Sequence, residues 1–194
     1  MIELRGKAVA DAHKAILQEK VAAVGDSVIT MAVLLVGEDH GAHMYATFME
    51  KTAKNFGYGF VLKQLPETAT QDEVVTALQE LNNDAAVHGI LPLMPMPKHI
   101  DTEALIDMLD PKKDIDGLTT YNIGLVTAGK GGFAPCTAKA CMAILNHYDI
   151  PVEGKHVVVI GRSQVIGKPV ALMTLGAHGT VTVSYTHLRA HETD

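Results

Sequence analysis

An α/β fold built on parallel strands is what this 194-residue sequence predicts, and three observations predict it. Helix-type periodicity and short apolar runs alternate along the chain, the pattern of βα units. The run Met31–Val36 (MAVLLV) is apolar without alternation, as a strand buried on both faces requires. His156–Ile160 leads through Gly161 into a helical pattern, which reads as strand, tight turn, helix.

From the start of the chain, Gly6–Ala23 is predicted to be an amphipathic helix, with Val9, Ala12, Ile16 and Val21 near one face. Ser27–Gly37 carries the buried strand. Ala42–Phe56 is the next helix, stopped by Gly57, and Phe60–Leu65 is a strand. Thr70 opens a capping box with Glu73, and Val74, Leu78 and Leu81 follow at helical spacing. Ala86–Leu91 is a short buried strand. It runs into Pro92–Pro97, where three prolines in six residues forbid regular structure. A rigid loop at the C-terminal end of a parallel strand is where α/β proteins place ligands. Thr102–Leu109 is a short helix ended by Asp110-Pro111, Lys112–Gly117 a charged turn, and Gly129–Gly132 a glycine-rich loop. Thr137–Tyr148 is a helix, Lys155–Ile160 a strand, Val165–Leu175 a helix and Thr180–Ser184 a strand.

Composition narrows the classes of function. The chain is 47% hydrophobic and 20% charged with a net charge of −6, which is ordinary for a globular protein. No basic block is present, so nucleic acid is not an expected partner. Met1–Lys7 is charged and lacks the apolar segment of a secretory signal. Met31–Val36 is too short to span a bilayer, so no membrane partner and a cytoplasmic location are expected. Cys136 and Cys141 are the only cysteines and are expected to be two reduced thiols. The histidines are scattered without metal-type spacing, so no metal site is expected.

The stretch from His156 to Pro169 carries the most chemistry. A strand-to-helix turn exposes backbone N–H groups at a helix N-terminus, where they can hold a phosphate. Gly161 permits the turn and Gly167 allows close packing of helix on strand. Arg162 offers a bidentate fork, as a choice of NADP over NAD requires. Ser163 adds a hydroxyl. The spacing departs from G-x-G-x-x-G, and a βαβ turn with a surface arginine is the plainer alternative.

Five stretches together resemble the bifunctional methylenetetrahydrofolate dehydrogenase/cyclohydrolase family. They are Ala32–Gly37 with Tyr45; Gly89-Ile90-Leu91 running into Pro95-Met96-Pro97; Lys113-Asp114-Ile115-Asp116-Gly117 with Asn122 and Gly124; Pro135-Cys136-Thr137; and Gly161-Arg162-Ser163 with Gly167 and Pro169. The order and spacing are the family's, from residue 1 to about 182. The resemblance implies a three-layer αβα folate-binding domain over 1–118 and the start of a Rossmann-type NADP domain over 119–184. It implies a cleft between them, a homodimer, and tetrahydrofolate one-carbon derivatives as substrates. Tyr45 matches the residue that stacks on the pterin and Asp116 the carboxylate that hydrogen-bonds it. Gly161, Arg162 and Ser163 match the NADP-phosphate turn, with Gly167 and Pro169 behind it. Cys136 and Thr137 match a loop lining the cofactor cleft.

Three departures qualify what is implied. The family carries a Lys four residues after its Tyr, on the same helix face; here that residue is Met49. Lys51 and Lys54 lie at other offsets. The family's Gln in the proline-rich loop, which hydrogen-bonds the Lys, is replaced by Leu93, two residues before Pro95. A buried Lys or amide without its partner is costly, so the joint replacement reads as loss of one functional unit. Finally, no family pattern is visible over 185–194, and the family continues beyond the point where this sequence stops. That stretch is read as a tail outside the fold. A sheet with only two strands would expose an open edge.

The expected activity is therefore NADP-dependent oxidation of methylenetetrahydrofolate to methenyltetrahydrofolate, with a cyclohydrolase step that is weak or absent. The alternatives are a non-catalytic paralogue that binds folate or nucleotide, and an enzyme of the same fold with a changed substrate, for which Met49, Met94 and Met96 would form an adaptable pocket. His43 and His88 are the candidates for a substitute acid or base.

Overall fold

Gly6–Ala23 forms helix α1 in a computed structural model that describes residues 3–25 and 27–185. The apolar face expected on α1 is largely uncovered. Only Val9 is buried, and Ile16 is 50% exposed. Helical periodicity marks a face but not what covers it.

The central strand β1 (Thr30–Val36) pairs in parallel with β2 (Gly59–Leu65) on one side and β3 (Gly89–Pro92) on the other. Helices α2 (His40–Asn55), α3 (Gln71–Asn83) and α4 (Thr102–Asp107) connect and follow the strands. Alternate β1 side chains serve two cores. Ala32, Leu34 and Val36 pack with Val74, Leu78 and Leu81 of α3 and Leu105 of α4. Val33 and Leu35 pack with Ala42 and Ala46 of α2. With helices on both faces the sheet is the middle of three layers, which is why MAVLLV lacks polar alternation. Burying a leucine such as Leu34 or Leu78 contributes about 1.5–3 kcal/mol.

Caps set where these helices begin. Asp39 accepts the Ala42 N–H at 2.8 Å, so α2 starts two residues before the predicted position. The predicted capping box is present: the Thr70 hydroxyl accepts the Glu73 N–H, and the Glu73 carboxylate accepts the Thr70 N–H at 2.7 Å. These bonds hold the Glu73 carboxyl below its ordinary value. At the other end of α3, the Lys113 ammonium donates to the carbonyls of Leu81, Asn82 and Asp84 at 3.1, 2.7 and 2.7 Å. A cation there offsets the negative end of the helix.

A second set of elements follows: α5 (Thr120–Thr127), α6 (Cys136–His147), β4 (His156–Ile160), α7 (Gly167–Gly176) and β5 (Thr180–Ser184). Helix α5 is absent from the sequence expectation. It holds Gly124 in its interior and has no apolar stripe, and its start is set by the Thr119 hydroxyl, which accepts the Asn122 N–H. β4 and β5 pair in parallel, and Gly161 N–H extends the ladder to Ser184 O at 2.7 Å. Packing divides the chain differently from the expected boundary at 118. One compact unit holds Ile16–Ile115; the other takes the chain before Ile16 and from Asp116 on. The first residues group with the second half because the Tyr148 hydroxyl bonds both the N–H and the carbonyl of Arg5. Of the expected tail, only Tyr185 lies within the described residues.

Candidate functional site

In the unit of Ile16–Ile115, Tyr45 and Met49 lie one turn apart on α2. The Tyr45 ring is 48% exposed and stacks with Phe48, centroids 6.5 Å apart. Met49 is half-buried against the apolar cluster that contains Val33, Leu35 and Leu93. Leu93 is buried, and its N–H donates to Leu34 O at 2.9 Å, carrying the β1–β3 ladder one residue further. The two positions singled out for their joint loss of polarity thus share one apolar cluster. Ile115, the residue before Asp116, packs on the same cluster.

Neither nearby lysine replaces the missing one from its sequence offset: Lys54 is engaged with Glu50 at 2.6 Å, and Lys51 is exposed. His43 Nε2 lies 3.1 Å from Gly37 O and 3.6 Å from Glu38. His88 does not reach the proline loop. Its Nδ1 accepts the Thr30 N–H at 3.1 Å, at the N-terminal end of the parallel sheet, whereas Leu93 and Pro95 follow the C-terminal end. Its candidacy as a substitute acid or base at that loop is corrected on this ground.

The proline loop borders an open depression of about 660 Å³, lined in part by Gly37, Asp39, Glu67, Pro95, Pro97 and His99. Of the stretches singled out from sequence, Val36, Gly37, Pro95, Met96 and Pro97 line it, and the peptide bond between Met94 and Pro95 is cis. The depression sits at the C-terminal end of β1, as the α/β rule for ligand sites leads one to expect. Gly37 was the available signal: it has φ +93°, and a Cβ there would meet the Pro97 ring.

In the other unit, Asp116 is half-buried and its Oδ1 accepts the backbone N–H of Cys136 at 3.2 Å. Cys136 opens α6, and Thr137 follows it in the first turn, both exposed. Gly117, at φ +66°, packs directly on the Phe133–Ala134 backbone. Both cysteines are free thiols.

Residues 161–166 make the expected corner between β4 and α7. Gly161 has φ +135°, and a Cβ on Gly167 would collide with the Gly161 carbonyl. Pro169 is buried behind the corner. Arg162 is exposed, with its guanidinium 4.3 Å above the Tyr185 ring. The Ser163 hydroxyl accepts the N–H groups of Ile166 and Gly167 at 3.1 and 3.3 Å. It thereby shapes the entry to α7, a task the sequence reading did not foresee. The O–H of Ser163 is still a donor. A glycine corner with an exposed guanidinium and a hydroxyl fits a phosphate-bearing cofactor. Among the described residues, no three His, Cys, Asp or Glu gather into a group able to hold a metal, and no helix is long and apolar enough to cross a membrane.

Comparison with known proteins matches two family models in succession. Residues 4–116 match the tetrahydrofolate dehydrogenase/cyclohydrolase catalytic domain. Residues 135–193 match that family's NAD(P)-binding domain, a span that runs through the stretch read from sequence as a foreign tail. The bifunctional protein FolD of Campylobacter concisus is 44% identical over 157 residues, covering 81% of this chain and 56% of that protein. The crystal structure of the bifunctional enzyme FolD from Campylobacter jejuni superposes with a TM-score of 0.90 at 35% identity, over 95% of this chain and 66% of that one. The Trypanosoma brucei enzyme complexed with NADP cofactor and inhibitor superposes with a TM-score of 0.88 at 31% identity, over 94% of this chain and 63% of that one. The chain thus spans a little over half the length of the curated relative it matches.

Proposed function

The chain belongs to the tetrahydrofolate dehydrogenase/cyclohydrolase family, and from that premise we propose that it serves NADP-dependent oxidation of methylenetetrahydrofolate to methenyltetrahydrofolate, with little or no cyclohydrolase activity. The observation that carries this division is the apolar cluster shared by Met49 and Leu93. Loss of hydride from the methylene carbon is driven by the lone pair of the flanking nitrogen. That step needs the substrate held and oriented, and no protein acid or base. Tyr45 stacks on the pterin and Asp116 accepts its hydrogen bonds. Hydrolysis of the methenyl cation needs an activated water and moved protons, general acid–base work worth about 10²–10⁴-fold. A thioether and an isobutyl group cannot do it.

NADP, when bound, supplies the hydride acceptor. Arg162 and Ser163 hold its phosphate at the Gly161–Gly167 corner, with Pro169 behind it, and Cys136 and Thr137 line its approach. The protein is further proposed to be a cytoplasmic homodimer acting on free tetrahydrofolate derivatives. The test is a pair of assays on one preparation: NADPH formed from methylenetetrahydrofolate, and hydrolysis of methenyltetrahydrofolate. NADPH formation with hydrolysis at the uncatalysed rate is expected. Hydrolysis at a rate matching NADPH formation would overturn the division of activities, and folate binding without NADPH formation would favour a non-catalytic paralogue.

A further inference from the structure

Helix α6 lacks a cap of its own. Its N-cap residue is Pro135, which makes no side-chain hydrogen bond to the first turn. The acceptor comes instead from Asp116, twenty residues earlier, whose Oδ1 takes the Cys136 N–H at 3.2 Å. A carboxylate is the favoured partner for the positive end of a helix. The contact is held by more than this bond. Gly117 packs so closely on Phe133 O that no Cβ could be accommodated, and the Asn122 side-chain oxygen, 2% exposed as a residue, accepts the Phe133 N–H at 3.2 Å. Three separate ties therefore fasten the Asp116–Asn122 segment to the stretch that starts α6.

Resting on the function proposed above, we propose that Asp116 is also a positioning residue for the cofactor segment: through Oδ1 it fixes the first turn of α6, so that the carboxylate assigned to the pterin sets the place of Cys136 and Thr137. A carboxylate can do both, because its second oxygen remains to meet a donor on the substrate. Two ligands that lean on one carboxylate are thermodynamically coupled, and each must alter the affinity of the other by the same factor.

The experiment measures NADP binding by calorimetry with no folate present, for the unaltered protein, Asp116→Ala and Asp116→Asn. Asp116→Ala is expected to bind NADP about tenfold more weakly, the scale of one hydrogen bond to a charged group. Asp116→Asn keeps an oxygen that can accept the Cys136 N–H, so its NADP affinity should stay near that of the unaltered protein while its tetrahydrofolate affinity falls. A general loss of structure would not be rescued by asparagine. Equal NADP affinity in the unaltered protein and Asp116→Ala overturns this proposal alone. An unaltered protein that binds no NADP overturns the proposed function, and this proposal with it. If Asp116→Ala does not fold, the backbone amide resonance of Cys136 in the unaltered protein decides the matter. It should move on adding tetrahydrofolate alone, and an unmoved resonance at saturation overturns the proposal.

Discussion

Gly117 leaves no room for a methyl group. Its φ of +66° is strained for any L-residue, and the Phe133 carbonyl occupies the space a Cβ would need. Gly117→Ala should lower stability by about 2 kcal/mol or more, as read by urea unfolding. Asp-Gly announces a turn in the sequence, but the segment it packs against lies sixteen residues on and could not be read there. The same limit hid the Asp116–Cys136 bond, which depends on where the chain returns. The joint change at Met49 and Leu93 was legible, because positions i and i+4 share a helix face whatever surrounds them. It yields a double-variant prediction. Leu93→Gln alone puts an amide into an apolar cluster and should cost about 1–3 kcal/mol. Adding Met49→Lys gives that amide a partner, so the double variant should be more stable than the sum of the two single effects. Methenyltetrahydrofolate hydrolysis should rise about 10²-fold in the double variant only.

Elements were legible where a local signal fixes them. The Thr70–Glu73 box predicted the start of α3 because both bonds close within one turn. Its carboxylate makes stability depend on acid. The Glu73 pKa is lowered by the Thr70 N–H and hydroxyl, so this contribution is present above the ordinary glutamate value and is lost as pH falls through the lowered one. Urea midpoints followed into acid should therefore fall more steeply for the native sequence than for Glu73→Gln, and matching slopes would refute it. Helix α5 escaped notice for the opposite reason: with Gly124 inside and no stripe, its Thr119 cap is followed by no periodicity that would mark a helix. Helix α1 shows the converse: its periodicity marked a helix and an apolar face, but of that face only Val9 is buried.

At the scale of the molecule, both sheets are parallel and each was anticipated from runs of β-branched and aliphatic residues. The units break after Ile115, close to the expected boundary at 118; the grouping of the residues before Ile16 with the second half was not anticipated, and it joins Tyr148 to Arg5, two points far apart in sequence. Ligand linkage tests the cofactor assignment on the intact protein. NADP at a hundred times its dissociation constant should stabilise the fold by about 2.7 kcal/mol and raise the thermal midpoint. Arg162→Ala should shrink that increment without changing the midpoint of the free protein by more than the loss of its Tyr185 contact allows.

Lys113 stands three residues from the acid on which so much turns, and it would be natural to enlist it as a proton carrier. Its ammonium is already spoken for: each of its three hydrogens has a helix-terminal carbonyl to meet. Amine-directed acylating reagents should therefore modify it far more slowly than an exposed residue such as Lys51, and mass spectrometry of a partially labelled sample would rank the two.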